Sequence, residues 1–555
     1  MNSLKMAAAT STGRMLSLLA TAATLLLATV ANAAVPGITG GTGAPTFNLT
    51  ATEGYISQPD GQMVYSWGYG CASAPGGYAP AAISPIATPG RPQPFCNTMQ
   101  IPGPTLIVTA GQTVTVTLKN NLPAAAGNTS ILFPGFTVTA SAPGSQPVGC
   151  TSSINPVQQG LLTMEAAPGC SVTYTFTATT PGTRAYYSGT QGDLQVEMGL
   201  HGAIIVLPST IPANCTSGLA AQNLVAETYW GESDFRLAAA AYNHPRTCYD
   251  REYLFQFSEM DLNIHTQALA QVTATKGCTA GMPGCSLSVP TEPYHPAYFM
   301  INGRSMPDDM DSNYAFQYPH QPYNGNPHMH PGEQVLLRII GQGRWQHPFH
   351  EHGNHVRILA RDGNLILSQT NPTNNLAGPL LFTTTTTPGL AMDGIFYWTG
   401  KGLNWDPYGH NPASTDSLAK LPCTPDANGY NTGAPTAINY FEWCQDHNKP
   451  LQAKPFGDVA AGGPVTLPDP NLFTNGAWFG GSPYLGPDAT VRAVGATGTT
   501  PPSGTIANSP TGEAGFAFMW HSHNEREITT NNVFPGGMLM MMLVDSREFV
   551  IDESN

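Results

Sequence analysis

Six side chains have the types and spacing to hold a metal ion. His347-Pro-Phe-His350-Glu-His352-Gly-Asn-His355 puts four imidazoles into nine residues, and His521-Ser522-His523 adds two more. On an extended strand, residues i and i+2 point to the same side. His350 and His352 therefore share a face, as do His521 and His523. Two such pairs on adjacent strands would converge four imidazoles, donors that suit copper, zinc, iron or nickel. His347 or Glu527 stands near enough in sequence to join them. Four nitrogen ligands would make a closed, structural site; three plus water would leave an open, catalytic position. One H-x-H alone reads as a surface or hydrogen-bonded pair, whereas two with an H-P-x-H prefix point to metal.

Other groups carry less. Glu525 and Glu527 share a face if the strand continues past His523, as metal ligands, a general base or exposed turn carboxylates. His320, His328 and His330 fall in a loop-like stretch beside Pro and Gly, which favours a structural role. Met538, Met540 and Met542 share one strand face. Thioethers suit Cu(I), but a Met-rich core strand explains them more simply. Arg344 and Trp345 precede the histidine motif and could shape its rim. No G-x-S-x-G, P-loop or dinucleotide fingerprint stands in a strand-to-helix setting, so hydrolase and nucleotide chemistry are unsupported.

The elements that position these residues read as all-β. Of 555 residues, 59 are Gly, 50 are Pro and only 10% are charged, which favours short strands and long loops. Residues 45–70 alternate weakly, as one strand. Thr113-Val-Thr-Val-Thr-Leu118 and Ser171-Val-Thr-Tyr-Thr-Phe-Thr177 alternate with period two, and Leu200 to Leu207 reads as a buried strand. Residues 45–208 thus form one Greek-key β-sandwich. A second set, over 215–547, has strands at Glu252–Met260, Ala297–Ile301, Gln334–Ile340, His355–Ala360, Gly515–Trp520 and Met538–Val544. Thr383 to Thr387 reads as an exposed strand. The Gly-, Pro-, Asn- and Thr-rich stretch at about 400–514 is an insertion in the second sandwich or a small third domain.

The net charge of -14, with no Lys/Arg cluster, argues against nucleic-acid binding. Residues 1–33 read as a signal peptide: Lys5 and Arg14, an apolar stretch, then Ala31-Asn32-Ala33 as an A-x-A cleavage site. No later run is long and apolar enough for a stable membrane span. The mature chain is expected to be secreted or periplasmic, where cysteines pair by default. Pairing neighbours among the ten cysteines gives Cys71–Cys96, Cys150–Cys170, Cys215–Cys248, Cys278–Cys285 and Cys423–Cys444. Sequence alone admits other connectivities. If all ten pair, no thiolate remains for a metal.

HPFHEHG followed by a late H-x-H and Gly-Gly-Met resembles the copper-binding half of a multicopper oxidase. Tyr298-Phe-Met-Ile-Asn-Gly303 and Pro331-Gly-Glu-Gln-Val-Leu-Leu-Arg338 resemble the family's lead-in to this motif. Gly182-Thr183 and Gly199-Leu-His-Gly-Ala-Ile-Ile-Val206 resemble the end of its first cupredoxin domain. The resemblance spans roughly 100–400 and 515–545. It implies tandem cupredoxin-like Greek-key sandwiches, the second with a long loop-rich insertion, and chemistry that oxidises substrate at a blue copper and reduces dioxygen at a three-copper cluster. By that match His347 is a blue-copper ligand and His350 binds the cluster's single copper. His352, His521 and His523 bind its copper pair. Asp393 falls in the family's turn before a late strand, a structural place. Trimers of two-domain members make a homo-oligomer plausible.

The departures are as informative. Ser522 stands where the cysteine ligand should be, and Glu527 where the second blue-copper histidine should be. The first domain's two H-x-H motifs fall about where Leu132-Phe-Pro134-Gly135 and Tyr187-Ser-Gly189 stand. The protein is therefore expected to bind copper in fewer ions than a complete multicopper oxidase, or another divalent metal, through His347, His350, His352, His521, His523 and Glu527. Blue-copper electron transfer is not expected. The alternative is a catalytically inactive secreted structural or binding scaffold.

Overall fold

Alternation becomes strand wherever one face can be buried. Val114, Val116 and Leu118 of the Thr113–Asn120 strand are buried, with Thr113, Thr115 and Thr117 on the other side. Val172, Tyr174 and Phe176 do the same in the antiparallel Ser171–Thr177 neighbour. The structure, a computed structural model, describes residues 34–83 apart from residue 42, 96–143, 162–217, 231–399, 422–433 and 516–545, with a few residues elsewhere. The proposed signal peptide and most of the 400–514 stretch lie outside the described residues. No helix among the described residues is long and apolar enough to cross a membrane.

The fold is all-β, two tandem cupredoxin-like sandwiches. The first stacks a five-stranded sheet ending on Gly182–Tyr187 and His201–Leu207 against a five-stranded sheet built on Thr46–Ser57 and Met63–Cys71. Residues 45–70 are thus a hairpin of two antiparallel strands, and not one strand, because Asp60-Gly61 turns the chain. Gly37–Thr39 also joins this sandwich, ahead of residue 45. In the second sandwich, a sheet centred on Arg251–Met260, Gln334–Gly341 and Ala391–Tyr397 faces one carrying Pro348–Glu351, Thr383–Thr385, Phe516–Ser522 and Leu539–Val544. Its core holds Phe255, Phe257, Phe349, Trp520 and Met538, Met540 and Met542, all at 0–1% exposure. The Met stripe is therefore core, as the simpler reading had it.

The sequence reading missed the Leu262–Ala274 helix. Asp261 caps it, its carboxylate accepting from the Asn263 amide at 2.9 Å. Ile264 and Ala268, one turn apart, join the first sandwich's core. Asp393 ties that sandwich to the second: it accepts from the Thr183 amide at 3.1 Å and the Thr183 hydroxyl at 2.6 Å. Arg338, buried, bonds Glu252 at 2.8 Å and Thr183 Oγ1 at 3.0 Å. The structural role read for Asp393 holds. All five neighbour disulfides form, and no cysteine among the described residues is free.

Candidate metal centre

Two strands far apart in sequence lie side by side here. Pro348–Glu351 pairs antiparallel with Phe516–Ser522, in the register Phe349 to Ser522, His350 to His521 and Glu351 to Trp520. Period-two alternation then sorts the side chains. Phe349, Glu351, Trp520 and Ser522 face the interior at 0% exposure, while His350 and His521 lie on the opposite face at 4% and 8%. His352 and His523 follow their strands directly; His352 is half-buried and His523 exposed. Gly353 ends the motif at φ +100°, where a Cβ would meet the Phe518 ring at 2.9 Å.

The four imidazoles stand together. Ring centroids are 4.7 Å apart for His350–His352, 4.8 Å for His350–His523, 5.2 Å for His352–His521 and 5.5 Å for His521–His523. Nε2 of His521 lies 3.3 Å from Nε2 of His352. Two nitrogens on one tetrahedral ion, each at about 2.0–2.1 Å, sit roughly 3.3 Å from each other. The other ring nitrogens are engaged: Nδ1 of His521 bonds the Ser522 carbonyl at 2.7 Å, and Nδ1 of His350 bonds Thr383 Oγ1 at 2.7 Å. A carbonyl only accepts, so His521 carries its proton on Nδ1 and presents the Nε2 lone pair. The donor set fits a borderline-soft ion. Even so, among the described residues no group of three or more His, Cys, Asp or Glu side chains is arranged so that it could hold a metal ion. His350–His352, His350–His523 and His352–His521 meet edge to face, whereas His521–His523 is tilted at 36°.

Burial, and then repulsion from His352, His523 and His521, lowers the pKa of His350 to about 4. Burial also lowers that of His521. Both are neutral near pH 7, the protonation state a ligand needs. On the inner side of the strand, burial pushes the Glu351 carboxyl up to about 8, opposed by a bond from Thr384 Oγ1 at 2.6 Å.

His347 and Glu527 belong to a different arrangement. His347 is fully buried between two carboxylates: Nδ1 to Glu527 Oε2 at 2.8 Å and Nε2 to Glu259 Oε2 at 2.9 Å. Ser522 Oγ donates to the same Glu527 Oε2. A carboxylate oxygen thus occupies the point on which His347 Nδ1 and Ser522 Oγ converge. Burial alone would lower the pKa of His347, but the bonds to Glu259 and Glu527 raise it to about 9. Both nitrogens of its ring are committed, on opposite edges, and the set reads as an ion triad. Glu259 also accepts from the amides of Arg344 and Trp345 at 2.7 and 2.8 Å. Those two residues therefore hold Glu259 through their backbone amides.

The remaining candidates separate cleanly. Glu525 is exposed and Glu527 buried, because the strand stops at Ser522 and a turn closes from the Glu527 amide to the Asn524 carbonyl. They do not share a face. His328 bonds Asp545 at 2.6 Å, His330 bonds Glu232 at 2.6 Å and His320 bonds the Met99 carbonyl at 2.7 Å. These are structural bonds, although His328–Met329 is a short strand and not a loop. In the first sandwich Leu132 and Tyr187 bridge each other, and Ser188 Oγ bonds Gln195 at 2.7 Å. Leu132, Phe133 and Pro134 line an apolar cavity of about 440 Å³ with Phe136 and Met164. Neither of these two segments carries an imidazole. Sequence reasoning missed Glu259, Glu351 and Thr383.

Fold and site together define a tandem cupredoxin-like β-sandwich protein with an imidazole cluster on the outer face of its second sandwich. Residues 87–210 match the family model described as multicopper oxidase. That match covers the Gly182-Thr183 and Gly199–Val206 motifs of the resemblance. Among solved structures, the multicopper oxidase mgLAC shares 14% identity at a TM-score of 0.40, covering 90% of this chain and 86% of that one. The blue copper oxidase from Nitrosomonas europaea shares 14% identity at 0.40, covering 91% and 86%. A copper nitrite reductase from Nitrosomonas europaea shares 17% at 0.35, covering 64% and 84%. No curated protein matches the sequence.

Proposed function

We propose that this chain is a secreted or periplasmic, multicopper-oxidase-like protein that binds copper, in fewer ions than a complete family member, through His350, His352, His521 and His523. Another divalent metal of the same donor preference is compatible. The observation that carries the reading is the His521–His352 pair, with Nε2 atoms 3.3 Å apart and Nδ1 of His521 held by a carbonyl. Any chemistry here is oxidoreductase in type. His523, exposed, leaves the centre open to solvent. Electron transfer of the blue-copper kind has no support: Ser522 supplies no thiolate, and Glu527 fills the space beside His347.

Metal analysis of the purified full chain tests this. Copper near one ion per chain, lost in His352→Ala and His521→Ala, is the expected result. Metal content that neither substitution changes would overturn it. The second reading, a catalytically inactive secreted scaffold, draws on the Glu259–His347–Glu527 triad and the two apolar first-sandwich segments. Steady, metal-dependent oxygen consumption with phenols, cuprous or manganous ions would eliminate it. A homo-oligomer remains a proposal, checked by sedimentation.

A further inference from the structure

We propose that Glu527 is a positioning residue of the histidine centre, acting through Ser522 on His521. The inference rests on the reading of those histidines as metal ligands and adds what holds them in register. Glu527 is 1% exposed, and its carboxylate reaches both histidine-bearing segments. Oε2 accepts from His347 Nδ1 at 2.8 Å, one residue ahead of the strand that carries His350. The same oxygen accepts from Ser522 Oγ, the residue between His521 and His523. Oε1 accepts from Asn524 Nδ2 at 2.9 Å, just beyond His523. One buried side chain therefore pins three points around the cluster.

The main chain repeats the tie. The Glu527 carbonyl accepts from the Met538 amide at 2.8 Å, and the Met538 carbonyl from the Ser522 amide at 2.9 Å. The His523 amide donates to the Pro348 carbonyl at 2.8 Å. With its hydroxyl and amide both held, the Ser522 peptide has a fixed orientation, and its carbonyl is the acceptor for His521 Nδ1. A proton kept on Nδ1 leaves the lone pair on Nε2, which faces His352 Nε2, and partners that set a ligand's tautomer commonly change metal affinity 10–100-fold when removed. Ser522 and Glu527, which a blue-copper site could not use, orient the neighbouring imidazole instead.

Two measurements on the full-length protein test this. The first is imidazole ¹⁵N NMR of the metal-free protein. His521 is expected as the Nδ1-protonated tautomer in the wild type and as a tautomer mixture in Glu527→Ala and, more mildly, Ser522→Ala. The second is copper affinity by chelator competition. Both variants are expected to bind about 10–100-fold more weakly, and Glu527→Gln, which keeps an acceptor oxygen for Ser522, to lose less than Glu527→Ala. A fall in thermal midpoint with tautomer and affinity unchanged would make Glu527 merely structural and overturn the proposal. A wild type that binds no copper yet shows the tautomer change would keep the positioning role and remove the copper reading. An unchanged tautomer in folded Ser522→Ala and Glu527→Ala removes the positioning role whatever the metal does.

Discussion

Raising the pH from 6 to 10 should destabilise this protein through His347. The imidazole has its pKa raised from 6.5 to about 9 by two carboxylates, against the opposing effect of burial. A base with a raised folded-state pKa contributes stability that is fully present below the unfolded pKa and is lost as pH climbs through the folded one. The window therefore runs from about 6.5 to 9. A shift of roughly 2.5 units, at about 1.4 kcal/mol each, gives ~3 kcal/mol. No discount for solvent screening is needed, because the imidazole is fully buried. Glu351 and Glu553, both raised to about 8 by burial, lose stability in an overlapping range, so the effect must be isolated by difference. Glu527→Gln removes one of the carboxylates that raise His347. Denaturant midpoints at pH 6 and pH 10, for wild type and variant, form the assay. The wild type should lose more on alkalinisation than the variant, by on the order of 1–2 kcal/mol if the two carboxylates share the shift. Equal pH dependence in the two proteins would refute an imidazolium held between Glu259 and Glu527.

Two further outcomes follow from the same geometry. Ser522→Cys combined with Glu527→His sets a thiolate and a second imidazole around His347 Nδ1, and copper loading should produce the intense absorption of a blue-copper site; a colourless, copper-loaded double variant would contradict the convergence described for those side chains. Asp393→Ala leaves Arg338 without one of its two buried carboxylates and removes the Thr183 bonds, which should cost about 3–5 kcal/mol in denaturant unfolding. A loss under ~1 kcal/mol would show the two sandwiches do not depend on this tie.

What sequence could reveal here was local. Strand periodicity is two, so His350 with His352 and His521 with His523 could be paired by counting, and Ser522 told its story by lacking sulfur. The five disulfides join sequence neighbours, one pairing among the connectivities that sequence left open. Contacts that need the fold were not. Glu259 reaches His347 from 88 residues away and Thr383 reaches His350 from 33, with no pattern of their own. Grouping His347 and Glu527 with the other four histidines followed from proximity in the chain, but alternation turns His347 and Ser522 inward and the cluster outward. The Leu262–Ala274 helix was hidden by weak amphipathicity, with Ile264, His265 and Ala268 as its buried residues amid Ala, Thr and Gln. Local composition gave it no boundary signal beyond Asp261.

The most direct test of the central claim is electron paramagnetic resonance of the protein loaded with one equivalent of Cu(II). Coupling to at least three imidazole nitrogens, reduced in number by His521→Ala and by His352→Ala, is the predicted spectrum. A spectrum with oxygen-dominated coordination, identical in wild type and both variants, would mean that these imidazoles hold no copper.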